Sequence, residues 1–120
     1  MIQPSLDPAL TIVLGDRLPD LIITIRDQDG NPRNITGFTA DFYMIKHDEP
    51  TTPKVNYAAM SIIDLPTGIV SYSWGPSDTD TAGIYYWRVR LTQTIGGKKQ
   101  HTLWRCLEIE TPPQHPLRTF

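Results

Sequence analysis

Hydrophobic and polar residues alternate along most of the chain with a period of two, the pattern of β-strands that are buried on one face. The clearest example is Phe38–Lys46, where Phe38, Ala40, Phe42 and Met44 fall on one side and polar or mixed residues on the other. No segment shows the 3.6-residue period of an amphipathic helix. The pattern therefore predicts a chain of strands and turns.

Runs of this kind are bounded by residues that favour turns, above all Gly, Pro, Asn and Asp. The densest such boundary is Asp27–Pro32, and Ile95–Lys98 contains two adjacent glycines between two long runs. The predicted strands are Leu10–Leu14, Leu21–Arg26, Phe38–Lys46, one or two within Val55–Ile63, Ile69–Trp74, Ile84–Thr92 and His101–Glu110. Seven or eight short strands at this spacing predict an all-β fold, an immunoglobulin-like antiparallel β-sandwich.

The length of 120 residues suits a single domain. Prolines near both ends disfavour regular structure there, so we expect an N-terminal arm at residues 1–9 and a C-terminal tail at residues 111–120. The sandwich domain is then residues 10–110.

A polar turn, two small residues and a tyrosine follow one another in Asp78–Trp87. This order is typical of the tyrosine corner of immunoglobulin-like sandwiches, in which the tyrosine hydroxyl bonds to backbone a few residues upstream. The predicted corner consists of Asp80, Ala82, Gly83 and Tyr85. The predicted core comprises Ile23, Ile25, Phe42, Tyr72, Trp74, Trp87 and Val89.

Charge and composition argue against several classes of partner. The formal net charge is -2 and the only adjacent basic pair, Lys98-Lys99, falls in a turn, so we expect no nucleic-acid binding. No apolar run reaches the length of about 18 residues that a membrane span needs, so we expect no membrane partner. The single cysteine, Cys106, excludes an internal disulfide and is compatible with folding in a reducing cytoplasm. The N-terminus has no secretory signal pattern.

The sequence offers little chemistry for catalysis. The three histidines, His47, His101 and His115, have no ligand spacing to one another, and Cys106 lies in mid-strand without a histidine nearby. Asp78 and Asp80 could suggest a calcium loop, but they lack the further oxygen ligands of one, and a turn is the better interpretation. We therefore expect no catalytic residue, no metal and no cofactor, and a protein that is not an enzyme.

The last predicted hairpin offers a candidate binding surface. If Gly96 and Gly97 are the two turn residues, the register of the hairpin follows. The pairs are then Val89 with Trp104 and Trp87 with Cys106 on the core face, and Arg88 with Arg105, Arg90 with Leu103, Tyr86 with Leu107 and Ile84 with Ile109 on the other face. A turn one residue longer would exchange the two faces of the second strand.

In this register Arg88 and Arg105 are directly opposed, which is unfavourable unless something relieves the repulsion. Arginine and tyrosine beside aliphatic side chains also match the composition of protein interfaces. The candidate partner interface is Tyr86, Arg88, Arg90, Arg105 and Leu107, facing a subunit that offers carboxylates. The alternative is a solvated face with the two arginines splayed apart.

The order of motifs also resembles a known phage module. The segments are residues 21–27, 29–32, 35–42, 68–74 (Gly-Ile-Val-Ser-Tyr-Ser-Trp) and 78–85 (Asp-Thr-Asp-Thr-Ala-Gly-Ile-Tyr). Together they are similar to the N-terminal domain of the baseplate upper proteins of tailed phages, an immunoglobulin-like sandwich, over roughly residues 10–110. In that family a long trimerising, receptor-binding region follows the module, whereas only a short tail follows the last predicted strand here.

The resemblance implies a phage virion structural protein that acts as a docking module in the tail, baseplate or neck, without catalytic motifs. Its expected partners are other virion proteins (capsid, neck or baseplate subunits) in a symmetric multi-copy assembly. The expected location is the virion, assembled in the host cytoplasm. Two alternatives stay open: a capsid decoration protein, and a carbohydrate- or host-surface-binding module that uses Tyr43, Tyr57 or Trp104.

Overall fold

The computed structural model describes residues 10–111, which form nine β-strands and no helix. The strands are β1 (Thr11–Val13), β2 (Leu21–Thr24), β3 (Phe38–Lys46), β4 (Pro53–Ala59), β5 (Ser61–Asp64), β6 (Ile69–Tyr72), β7 (Gly83–Gln93), β8 (Lys99–His101) and β9 (Arg105–Glu110). They lie in two sheets, so the predicted all-β sandwich is confirmed. Most of the expected N-terminal arm and C-terminal tail lies outside the described residues, and the division into arm, domain and tail stays a prediction.

The two sheets differ in width. The large sheet has the order β1-β9-β7-β3-β4, with β8 also paired to β7, and the small sheet has the order β2-β6-β5. All pairings are antiparallel except that of β1 with β9, which is parallel. The described residues contain nine strands where seven or eight were expected. The predicted strand His101–Glu110 is interrupted, so that its first residue ends β8 and its second half forms β9.

Between β4 and β5 the chain passes from the large sheet to the small one within a single residue. Met60 separates β4 from β5, and its backbone N–H donates to the carbonyl oxygen of Ala40 in β3 at 2.9 Å. This bond keeps the crossing point attached to the large sheet while β5 turns to pair with β6.

An aromatic group fills the space between the sheets. The ring of Phe42 stacks on Tyr72 at 4.6 Å between centroids, and lies 5.9 Å from Trp74 and from Trp87. Such aromatic pairs contribute about 0.5–1.5 kcal/mol each beyond the area they bury. Of the residues expected in the core, the structure buries Ile25, Phe42, Tyr72, Trp74, Trp87 and Val89. Ile23 is only half-buried, because it borders an open trough at the edge of the small sheet.

The hairpin between β7 and β8 closes with a longer loop than expected. The N–H of Gln93 donates to the carbonyl oxygen of Lys98 at 2.8 Å, so residues 94–97 form the loop. Compared with a two-residue turn at Gly96 and Gly97, this shifts the register of β8 by two residues. A shift of two leaves every side chain on its original face.

The change of face comes later, between β8 and β9. Arg90 pairs with His101 and Trp87 pairs with Arg105, so β7 advances three residues while the facing chain advances four. The extra residue lies in Thr102–Trp104, which we call the β8–β9 break. One inserted residue reverses the faces of everything that follows it.

The predicted pairing of Arg88 with Arg105 is therefore wrong, and so is the outward position of Leu107. Leu107 pairs with Tyr85 and is fully buried in the core. Arg105 pairs with Trp87 and leaves the sheet on the inner side, where the edge of the sandwich is open. The inward position of Arg105 and Leu107 follows from the single extra residue in the β8–β9 break, whereas the longer β7–β8 loop already shifts Arg105 away from Arg88.

The corner before β7 is held by one hydrogen bond across the turn. The hydroxyl of Tyr85, in the interior, donates to the carbonyl oxygen of Thr81 at 2.7 Å, and burial raises the pKa of Tyr85. Gly83 adopts φ +148°, and a Cβ at this position would lie 2.6 Å from Cε of Lys46. The half-buried Ala82 precedes it, and Asp80 forms an ion pair with Lys54 of β4.

We expect Tyr85→Phe to lower the free energy of unfolding by about 1 kcal/mol, because one buried hydrogen bond is lost while the ring stays in place. Urea denaturation followed by tryptophan fluorescence measures this difference. The matched control is Tyr86→Phe in the same strand, since the hydroxyl of Tyr86 has no hydrogen bond within residues 10–111. Equal stability of the two variants would contradict a role for the corner.

Candidate functional site

The outward face of the large sheet brings together charged and aromatic side chains from neighbouring strands. In the register of β3 with β7, Asp41 pairs with Arg90 and Tyr43 pairs with Arg88. Residues paired across an antiparallel ladder project from the same face, so these four side chains are neighbours.

Two more aromatic residues join them from irregular positions. Tyr57 lies in β4 where the register with β3 shifts, and it has a positive φ of 55°. Its ring centroid is 4.7 Å from that of Tyr43. Trp104 lies in the β8–β9 break, and its ring centroid is 5.7 Å from that of Tyr43. One irregularity, in β4, supplies Tyr57 to the cluster from the strand beside β3. The other, the β8–β9 break, supplies Trp104 from the strand beside β7.

The guanidinium groups of the two arginines lie over these rings. The guanidinium carbon of Arg88 is 4.2 Å from the centroid of Trp104, and that of Arg90 is 4.0 Å from the centroid of Tyr57. Arg88 also donates from Nη2 to the hydroxyl oxygen of Tyr57 at 2.8 Å. Cation–π contacts of this kind contribute roughly 0.5–2 kcal/mol, depending on how far they are desolvated.

The charges in this cluster do not balance. Arg90 donates from Nε and Nη2 to Oδ2 of Asp41 at 3.2 and 2.9 Å, and both side chains are about four-fifths buried. Arg88 forms no ion pair within the described residues, and its buried Nε has no hydrogen-bond partner there. One positive charge therefore lies among aromatic rings without a carboxylate to neutralise it.

We call this surface the arginine–aromatic face. Its members are Asp41, Tyr43, Tyr57, Arg88, Arg90 and Trp104. His101 lies at its rim, with its ring 5.9 Å from that of Tyr57. Partial desolvation of the largely exposed ring and the nearby Arg88 and Arg90 lower the pKa of His101, and burial is the main reason that the pKa of Tyr43 is raised.

The structure divides the residues of the predicted interface. Arg88 and Arg90 lie on the arginine–aromatic face, whereas Tyr86 lies farther along the same side of β7, with its ring 5.5 Å from that of His47. Arg105 and Leu107 lie on the other side of the sheet. The aromatic residues that were expected to serve carbohydrate binding belong to the same cluster as the two arginines.

Asp41 is the member that sequence reasoning missed. The alternation of β3 places it outward beside Tyr43, and this is visible in the sequence. Its role as the counter-ion of Arg90 depends on the register between β3 and β7, because Asp41 and Arg90 are 49 residues apart in the sequence.

The side chains that the sequence analysis considered for metal binding or catalysis include Asp78 and Cys106. Asp78 accepts at Oδ2 from the hydroxyl of Tyr72 at 2.5 Å and from the N–H of Gly75 at 2.6 Å, so it braces a turn. Cys106 is buried. Within residues 10–111, no three His, Cys, Asp or Glu side chains are grouped so that they could hold a metal ion.

This part of the chain also contains no helix with the length and apolar character of a membrane span. His115 lies outside the described residues.

The lowered pKa of His101 predicts a dependence of stability on pH. The folded state disfavours the protonated ring. The contribution of His101 to the free energy of unfolding is therefore complete above the ordinary pKa of 6.5 and is lost as pH falls toward the lower pKa of the folded state. We expect His101→Gln to lose less stability than the wild type between pH 7.5 and pH 5, by a small amount because the ring is exposed. Urea denaturation at the two pH values measures the difference, and an identical loss in both proteins would contradict it.

The fold has a counterpart among solved structures. It is similar to the N-terminal domain of phage TP901-1 ORF48, with a TM-score of 0.57 and 14% sequence identity over 87% of this chain and 84% of that chain. No protein-family model and no curated protein matches the sequence. The resemblance inferred from the order of motifs is thus confirmed as a likeness of fold.

Proposed function

We propose that this chain is a structural docking module of a phage virion, located in the tail, baseplate or neck, and that it works by binding other virion proteins. The observation that carries the proposal is the shared fold with a phage protein domain along nearly the full length of both chains. The order of sequence motifs, which resembles the baseplate upper proteins, points in the same direction.

The arginine–aromatic face is the proposed docking surface. Arginine, tyrosine and tryptophan are enriched at protein interfaces and provide most of the residues on which binding energy depends. Here the aromatic packing fixes both guanidinium groups before any partner arrives, which reduces the entropy lost on binding. The unpaired charge of Arg88 favours a partner with an acidic side chain, because a carboxylate from another subunit could form an ion pair with its guanidinium group.

The geometry favours a protein partner over a carbohydrate on this surface. Sugars bind on open aromatic faces, but Arg88 covers the ring of Trp104 and Arg90 covers the ring of Tyr57. Carbohydrate binding would therefore require both guanidinium groups to leave their rings. A place on the capsid surface as a decoration protein would use the same docking chemistry, and symmetric multi-copy incorporation is expected in either location.

The virion assignment predicts that the protein is a fixed component of purified particles. Quantitative mass spectrometry of particles banded twice in a density gradient gives its copy number relative to the major capsid protein. We expect a constant copy number that is a multiple of the order of the symmetry axis at the protein's location in the particle. Loss of the protein during the second banding, with capsid protein unchanged, would overturn the assignment.

The role of the arginine–aromatic face predicts that Arg88→Gln weakens incorporation into particles. In cells that produce wild-type and variant protein in equal amounts, we expect the wild-type form to exceed the variant about tenfold in the particles. Arg88→Lys keeps the charge but not the planar stacking on Trp104, so its incorporation should be intermediate.

The matched control is Lys98→Gln, which removes one positive charge from the exposed end of the β7–β8 hairpin. It should be incorporated like the wild type. Equal incorporation of a correctly folded Arg88→Gln variant, verified by its thermal unfolding, would contradict docking through this face and would leave the virion assignment intact.

A further inference from the structure

The second surface of interest is the free edge of the small sheet. Among residues 10–111, strand β2 pairs with β6 on one side only. The N–H of Ile25 donates to the carbonyl oxygen of Gly68 in register with that ladder. Because hydrogen-bonded and non-bonded pairs alternate in an antiparallel ladder, the backbone groups of Ile22 and Thr24 point away from β6, toward the open edge.

Below this edge the two sheets do not close in the part of the chain that the structure describes. The large sheet extends beyond the narrower small sheet, and an open trough of about 750 Å³ lies between β2 and the β8–β9 break. Its apolar lining includes Leu21, Ile23, Trp87 and Leu103. A smaller hollow of about 350 Å³ continues it along β1, and Leu10, Leu21 and Ile22 line both.

Exposed apolar side chains concentrate along this trough. Five large hydrophobic residues are strongly exposed in the described part of the chain, and three of them border the trough or its continuation. These are Leu18 at 80%, Ile22 at 63% and Leu103 at 87%. Contiguous exposed apolar surface of this kind marks interaction sites.

One residue that lines the trough has a buried polar atom without a hydrogen-bond partner. Trp87 is 8% exposed, lines the trough, and its buried Nε1 donates to no acceptor within residues 10–111. A buried N–H without an acceptor costs about 1–3 kcal/mol. An acceptor provided by a bound molecule would remove that cost.

The charges at the rim are distributed unevenly. Arg105, paired with Trp87 across the ladder, lines the trough, as do Arg26 and Arg33. Within residues 10–111 the side chain of Arg105 makes no hydrogen bond or ion pair. Asp27 is the acidic residue there, and its Oδ1 accepts from the N–H groups of Asp29 and Asn31. The continuation along β1 carries Asp16 and Asp20. One end of the groove is therefore basic and the other acidic.

We propose that this trough receives an extended segment of a partner protein, which pairs with β2 as a fourth strand of the small sheet. Alternate apolar side chains of the segment enter the trough, one of its acceptors binds Nε1 of Trp87, and an acidic side chain meets Arg105. Strand addition of this kind obtains affinity from backbone hydrogen bonds and specificity from side-chain pockets. The inference does not depend on the arginine–aromatic face.

The experiment uses the full-length chain and two synthetic nine-residue probes that alternate valine with either glutamate or lysine. Indole N–H resonances of ¹⁵N-labelled protein report where a probe binds. We expect the glutamate peptide to bind at least tenfold more tightly than the lysine peptide and to shift the Trp87 resonance. Trp104, on the opposite side of the sheet, serves as the internal reference and should not shift.

Two variants separate backbone pairing from charge. Thr24→Pro removes the outward N–H on an edge where proline is tolerated, and should weaken the glutamate peptide about tenfold, whereas Thr24→Ala should bind like the wild type. Arg105→Glu should reverse the preference between the two peptides. Lys98→Glu changes the net charge equally, outside the trough, and should leave the preference unchanged.

Several results would overturn the proposal. These are no binding of either peptide at millimolar concentration, equal affinity for both, or an unshifted Trp87 resonance at saturation. Deletion of residues 1–9 that increases peptide affinity more than tenfold would show that the chain's own N-terminal segment occupies the trough. Concentration-dependent dimerisation that excludes the peptide would assign the trough to a second copy.

Discussion

The positions of both candidate surfaces depend on two hydrogen bonds in the β8–β9 break. The N–H of Thr102 donates to the carbonyl oxygen of Val89, and the N–H of Val89 donates to the hydroxyl oxygen of Thr102, each at 2.9 Å. The threonine side chain thus replaces a backbone acceptor at the point where the ladder is interrupted. It allows the extra residue to be accommodated without leaving a backbone donor of the central strand unsatisfied.

Because of that interruption, side chains that are close in sequence project from different faces of the sheet. Trp104 joins the outer cluster, Arg105 enters the trough, and Leu107 closes the core. A regular continuation of β8 would place Trp104 inside and Leu107 outside, and would put Arg105 on the outer face together with Arg88. The irregular ladder therefore buries the aliphatic residue and separates two like charges at once.

Local alternation and short motifs were sufficient to predict most of the strands, the two-sheet architecture and the tyrosine corner, but not the division of the last strand into β8 and β9. Ile25, Phe42, Trp74 and Val89 are buried as their alternation indicates. The relation between distant strands was not predictable in this way. The pairing of Asp41 with Arg90 and the bulge at Tyr57 depend on long-range register, and the extra residue at Thr102–Trp104 has no periodic signature. A formal charge of -2 likewise conceals two local basic surfaces.

The parallel pairing of β1 with β9 determines how the domain would respond to mechanical load. Leu10 accepts from Glu108 at 2.9 Å and Leu14 donates to Glu110 at 2.8 Å, so the first and last strands of the described chain are joined side by side in the same direction. Tension applied between residue 10 and residue 111 would pull these strands in opposite directions along their length. Their hydrogen bonds would then be sheared together instead of opening one at a time, which gives a small sandwich high resistance to being pulled apart from its ends.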